Sequence, residues 1–328
     1  MITPFFIIGA QRSGTTLLRL ILNSHSKIAI PEEGTFLMPL LKDKYINYTF
    51  KGNELNKLIK YISLNPQFEL WNKNFTDFFK EVKHKGKITL KEFISNLYNF
   101  YAKKEGKKYW GDKTPSFFRK IDVINKLFPE AKFIHIVRDG RDVFNSWRKM
   151  NPTKGNAPVI ALDWKYKLKT IENSFQKIPI DRTLTIRYED LLDNPKKTVA
   201  NVCDFLEIHF EDGMLEFYKV SNKYIGKHYS PLIYSQITKT NKYKWKKVLN
   251  RYEISSFTLI AKNCLRNFGY EIPDAYLNFE IVFYTILKLS YGLPYRIFQV
   301  IHSKFAYEIA LKKGNKVKGI KFGEKPQG

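Results

Sequence analysis

The sequence predicts a three-layer α/β fold built on a central parallel sheet. Three observations carry that expectation. Phe5–Ile8 is a short apolar run that passes through a glycine loop into a helical pattern at Thr15. Lys132–Val137 (KFIHIV) and Thr183–Arg187 (TLTIR) repeat the arrangement, each followed by a stretch with helical periodicity. Apolar runs without alternation are what strands covered on both faces look like.

The elements follow in order. Phe5–Ile8 reads as a buried strand, GAQRSGTT (residues 9–16) as a loop, and Thr15–Asn23 as a helix with Leu17, Leu18, Ile21 and Leu22 on its apolar face. Residues 40–108 break the pattern. They are rich in Lys, Asn and Phe and read as an all-helical insertion, a candidate substrate-binding region. Thr89 and Glu92 have capping-box spacing ahead of a helix Leu90–Lys103. Pro115 permits a helix start at Ser116, running to Leu127. Helices are expected at Gly140–Met150, Pro158–Gln176, Pro195–Leu206 and Ser255–Asn267. From Phe279 two apolar helical pieces are split by Gly-Leu-Pro, and a Lys-rich stretch follows. The expected division is therefore a domain over 1–278, with 40–108 as its insertion, and a helical extension with a basic tail over 279–328.

Composition bounds the function loosely. The 328 residues are 44% hydrophobic, enough for a sizeable core, and carry a formal charge of +25. Such a surface favours anionic partners: nucleic acid, anionic lipid, a polyanionic glycan or an acidic peptide. A general drift toward Lys, Asn and Ile explains the charge equally well. Cys203 and Cys264 lie in apolar helical patterns and read as buried thiols rather than a disulfide framework or a zinc site. MITPFFIIG has no basic segment followed by a long apolar one, and no stretch reaches the ~20 apolar residues of a bilayer span. The expectation is a cytoplasmic protein, with the apolar and basic C-terminus as a candidate peripheral contact with membrane.

The loop carries the chemistry. GAQRSGTT has the G-x-x-x-x-G-K-[ST] spacing of a phosphate loop, with Thr15 where the lysine belongs. A glycine turn between strand and helix presents backbone N–H groups and the positive end of a helix dipole to an anion. Arg12 adds a fork matched to two oxygens of one phosphate or sulfate. The missing Lys normally offsets the β- and γ-phosphates. Asp139 is the first acidic residue after KFIHIV and is flanked by Arg138 and Arg141, a poor magnesium site. The pattern fits an anion needing less neutralisation than a triphosphate, and no metal is expected. A phosphosulfate meets that requirement.

The set GAQRSGTTLL, PEEGTFL, GDKTP, FIHIVRDGRDVFNS, RYEDLL and KW resembles the sulfotransferases that use 3′-phosphoadenosine 5′-phosphosulfate. It is most similar to the branch holding tyrosylprotein and carbohydrate sulfotransferases and their bacterial relatives. The motifs cover residues 5 to about 245. The resemblance implies a P-loop-containing sandwich and a sulfotransferase domain over 1–278. It implies that Arg12, Ser13, Gly14, Thr15 and Thr16 cradle the 5′-phosphosulfate, and that Arg138 and Ser146 bind the 3′-phosphate. It places Tyr188 near the adenosine phosphate and Lys244 over the nucleotide. Tyr188 and Trp245 read equally well as packing aromatics. The family serine before that lysine falls on Tyr229 here, with Ser230 next to it as the substitute. In the tyrosylprotein branch a Glu stands 21 residues after the loop Arg. Counting from Arg12 gives Glu33 as general base, with Glu32 as the off-by-one alternative. Lys113 in GDKTP, together with Arg12, would meet the charge that develops on the leaving group. Asp139, Arg141 and Asp142 read as scaffold, and His135 as a core residue. The implied partner is a hydroxyl-bearing acceptor, such as a glycan, peptide tyrosine, lipid or metabolite, and no nucleic acid. Two rival readings remain at this level: a P-loop kinase, and a non-enzymatic binder of polyanions or membrane surfaces.

Overall fold

The main sheet has five strands. In chain order the strands are β1 (Phe5–Ile8), β2 (Ile28–Ala29), β3 (Thr49–Lys51), β4 (Lys87–Thr89), β5 (Tyr109–Lys113), β6 (Lys132–Val137) and β7 (Thr183–Arg187). The sheet runs β2-β5-β1-β6-β7, while β3 and β4 form a separate antiparallel pair. β1 lies parallel to both β5 and β6, and β2 parallel to β5. This computed structural model describes residues 3–150, 155–219, 231–273 and 277–312. The chain divides into two units, one of residues 1–9, 14–136 and 170–238, the other of residues 10–13, 137–169 and 239 onward.

In the first unit the sheet is covered on both faces, as its apolar runs require. Phe6 and Ile8 point into a core with Phe93, Leu97, Ile124 and Phe133. Phe5 and Ile7 point the other way, to Leu18, Ile21, Ile134, Val199 and Val202. Helices Leu90–Lys104 and Ile121–Leu127 therefore cover one face, and Thr15–Asn23 and Pro195–Leu206 the other. The second unit has its own core, where Val143, Phe144, Trp164, Leu168, Phe257 and Leu265 meet. Cys203 and Cys264 are both free and buried. Burial among apolar neighbours pushes the Cys203 thiol up to about 12.

Five local expectations change. The insertion contains the β3–β4 pair besides its helices, so it is not all-helical. Only half of the Thr89 capping box forms: Thr89 accepts the Glu92 N–H at 3.2 Å, but the Glu92 carboxylate pairs with Lys85. A complete capping box sits at Asn250 and Glu253 and starts the helix Arg251–Asn267 four residues earlier than Ser255. The stretch after Pro115 is a 3-10 turn, Pro115–Arg119, before helix Ile121–Leu127. The two apolar pieces at the C-terminal end are one helix, Phe279–Lys312, with Pro294 inside it. Proline removes one backbone donor. Here Pro294 and Ser290, whose carbonyl loses its donor, are both exposed residues.

Candidate active site

The loop after β1 is held in two left-handed turns. Gly14 has φ +95° and Arg12, a non-glycine, has φ +73°. A β-carbon on Gly14 would lie 2.3 Å from the Tyr188 ring, and one on Gly9 would lie 2.6 Å from the Ile136 carbonyl. Both glycines are therefore fixed by close approach. Tyr188 is buried and packs against the loop from beneath. The Ser13 hydroxyl is buried with no hydrogen-bond partner. A donor so placed, next to the start of the nine-residue helix Thr15–Asn23, suits an anion.

Lys113 is the last residue of β5, opposite Ile7 of β1. Its side chain is 0% exposed. Nζ donates to Glu33 Oε1 at 2.6 Å and reaches Thr16 Oγ1 at 3.5 Å. The two neighbouring glutamates are unlike. Glu32 is 9% exposed and its Oε1 takes Arg19 Nη1 at 2.8 Å, whereas Glu33 is 36% exposed. A carboxylate locked to a buried guanidinium is a structural group, and an accessible one can reach a second substrate.

A buried network lies behind this pair. The Gly34 N–H donates to Thr114 Oγ1 at 2.7 Å. Thr114 Oγ1 and Tyr98 OH both donate to Asp112 Oδ2, at 3.1 and 2.7 Å. The network ties the residue after Glu33 to the residues on either side of Lys113. Burial pushes the Asp112 carboxyl up to about 6, against the pull of its two hydrogen bonds and of Lys113. The folded pKa then lies above the unfolded value of 3.8, so the stability linked to this group is full below about pH 4 and lost as pH rises through about 6. Asp112→Asn removes that titration. Wild type is expected to lose stability relative to Asp112→Asn across this window, on the order of 3 kcal/mol in total. Thermal unfolding of both proteins across the window measures it, and parallel curves would refute it.

In the second unit Arg12 Nε donates to Ser146 Oγ at 3.0 Å. Arg138, one residue past β6, donates to the Arg12 carbonyl at 3.3 Å and to the Asn241 carbonyl at 2.9 Å. Asp142 accepts the Trp245 N–H at 2.9 Å. Arg138 and Asp142 thus hold both ends of the segment that carries Lys244. Arg141 is buried, paired in two-pronged fashion with Asp139 at 2.9 and 2.7 Å, and stacked 3.7 Å over the Trp245 ring. Trp245 is buried against Arg141, and Asp139, Arg141 and Asp142 are buried with it in one hydrogen-bonded cluster.

A model of the sulfotransferase family matches residues 4–212, well over half of the chain. The chain belongs to the sulfotransferase family. Protein-tyrosine sulfotransferase 1 of Danio rerio is 26% identical over 225 residues, covering 66% of this chain and 57% of that one. Protein-tyrosine sulfotransferase A of Caenorhabditis elegans is 24% identical and 55% covered. An uncharacterised protein of Aquifex aeolicus is 25% identical, with 27% of its length covered. The match thus spans little more than half of these relatives at most. Among solved structures, the sulfotransferase domain from the curacin biosynthetic pathway superposes with a TM-score of 0.56 at 22% identity, covering 83% of this chain and 99% of that one. The fold is that of the family.

In this family member Glu33, Lys113 and Thr16 come together, as do Arg12, Arg138 and Ser146. Lys244 is half-buried at the start of the short helix Trp245–Val248. Ser230 lies outside the described residues. The Asp112 network and Arg19 escaped the sequence reading. A signal existed for Arg19, which interrupts the apolar helix face LLRLI and is only 6% exposed.

Proposed function

We propose that this chain transfers a sulfuryl group from 3′-phosphoadenosine 5′-phosphosulfate to a hydroxyl acceptor without metal. The observation that carries the reading is the contrast between the two glutamates. Glu33 sits on a buried lysine beside the phosphate loop and stays accessible, while Glu32 is consumed by Arg19.

Arg12 through Thr16 hold the phosphosulfate, with the unpartnered Ser13 hydroxyl as one donor. Arg138 and Ser146 bind the 3′-phosphate, and Tyr188 supports the loop on which the 5′ group rests. Glu33 accepts the proton of the acceptor hydroxyl as its oxygen attacks sulfur. The bond from sulfur to the bridging oxygen breaks, and the bisphosphate leaves with the electron pair. Lys113 and the loop donors meet that charge. Lys113 can serve both roles in turn, releasing Glu33 as negative charge appears on the leaving group. The names of the tyrosine-sulfating relatives support peptide tyrosine as the first acceptor to try.

Calorimetry in EDTA tests the binding half. Adenosine 3′,5′-bisphosphate is expected to bind without metal. Arg138→Ala should weaken it about 10–100-fold, the range of one or two hydrogen bonds to a charged group. Adenosine 5′-phosphate, lacking the 3′ group, should lose far less. Equal losses would remove Arg138 from this role. Thermal stabilisation by magnesium ATP but not by the bisphosphate would favour a kinase.

A further inference from the structure

The helix Phe279–Lys312 is inside out. The side facing its own unit is narrow and poor in large apolar groups. Ile281 and Thr285 are buried there, Asn156 Nδ2 donates to the Lys288 carbonyl at 2.8 Å, and a β-carbon on Gly292 would lie 2.6 Å from Asn156. At 3.6 residues per turn, positions 281, 285, 288 and 292 form one stripe. Phe283, Ile286, Leu287, Ile297, Phe298 and Ile301 fall on the opposite side, within an arc of roughly 120°. They are 49–63% exposed. An ordinary surface helix turns such residues inward, and an exposed apolar face, here interrupted only at Ser290 and Pro294, marks a contact surface.

We propose that this stripe lies on the surface of an anionic lipid bilayer. Charge selects that occupant. Residues 313–328 carry Lys313, Lys316, Lys318, Lys321 and Lys325 against Glu324, a net of 5 − 1 = +4 of the whole chain's +25. A second copy of this chain would bring like charge against like charge, whereas anionic headgroups complement it. Among the described residues no helix is long and apolar enough to cross a membrane, so the helix lies in the interface plane. Tyr291 and Tyr295, both exposed, lie beyond one edge of the stripe by the same periodicity, where ring and hydroxyl match the headgroup boundary. Apolar area and basic charge then act together, each insufficient alone.

Co-sedimentation of the full chain with vesicles tests this. The protein is expected to pellet with phosphatidylcholine mixed with phosphatidylglycerol, and much less with phosphatidylcholine alone. Phe283→Glu combined with Ile297→Glu should weaken binding by about tenfold or more, because each change places a carboxylate in the apolar boundary. Both positions are exposed, so the melting temperature should hold. Replacing Lys313, Lys316, Lys318 and Lys321 by glutamine should cost a similar factor at low salt and little at high salt. Failure to pellet with either vesicle overturns the proposal. So does a lipid-free dimer in light scattering that the double glutamate variant converts to monomer, since a second copy would then cover the stripe.

Discussion

Glu33→Gln is expected to lower turnover by roughly 10²–10⁴-fold, the usual contribution of a positioned general base. Bisphosphate affinity should stay within a few-fold, since Glu33 is not among the residues assigned to the nucleotide. Glutamine keeps an acceptor for Lys113 but gives up the charge opposite a fully buried ammonium. Melting temperature must therefore be read beside turnover, and the rate loss should exceed any loss of folded protein. Glu32→Gln should behave in the opposite way. It breaks a buried pair with Arg19, which costs about 3–5 kcal/mol of stability, and leaves turnover per folded molecule near wild type. A stable, inactive Glu32→Gln beside an active Glu33→Gln would transfer the base to Glu32. Sulfuryl transfer from labelled donor to a tyrosine peptide, scored against folded fraction, separates these outcomes.

Gly14→Ala is expected to damage fold and binding together. Two independent costs act at one position. A non-glycine at φ +95° costs about 1–2 kcal/mol, and its β-carbon would overlap the Tyr188 ring at 2.3 Å, a further 1–3 kcal/mol or so. Tyr188 belongs to a buried cluster and cannot simply step aside. Denaturant unfolding should show a loss of about 2–5 kcal/mol, with bisphosphate affinity reduced at least about tenfold because the loop amides are re-aimed. Adding Tyr188→Ala separates the costs. Relative to Tyr188→Ala alone, the Gly14→Ala step should then cost only the backbone part. If that step costs the same in both backgrounds, the ring contact is not what constrains this glycine.

The sheet was legible where its strands are made of core residues. β1 and β6 are almost wholly buried and appear at the positions their apolar runs predict, and β7, with only Ile186 buried, appears as predicted at the sheet edge. β5 was missed although it supplies Lys113. Its sequence YWGDK ends in two charged residues serving the site and contains Gly111, whose missing β-carbon leaves room for the Phe5 ring at 2.3 Å. A strand whose side chains do chemistry does not look like a strand. β2 is only two residues long, too short for any pattern. The loop follows motif spacing and was readable; the Arg12–Ser146 hydrogen bond was not, since the motifs couple Ser146 with Arg138. Nor was the division of labour between Glu32 and Glu33. Counting from Arg12 favours Glu33 but leaves Glu32 one step away, and it cannot show that Arg19 packs across from Glu32. The same holds for the Asp112 network, whose members are spread from Gly34 to Thr114 and meet only after folding.

Arg138 donates to two main-chain oxygens, one of them at Asn241, and pairs with Asp142 at 3.7 Å, while Asp142 secures Trp245 a few residues on. Bonds from a guanidinium to phosphate are roughly twice as strong as those to a neutral carbonyl. An arriving 3′-phosphate would therefore draw Arg138 away from Asn241, and a departing one would return it. The strap carrying Lys244 is then coupled to the ligand by a shared donor and needs no hinge of its own. In kinetic terms, on the proposed reading, the exchange would give the spent nucleotide a closing partner that must be replaced before it can leave. Turnover would then be paced by product departure, and a variant that loosens Asn241 without touching the reacting groups would change the speed of the cycle.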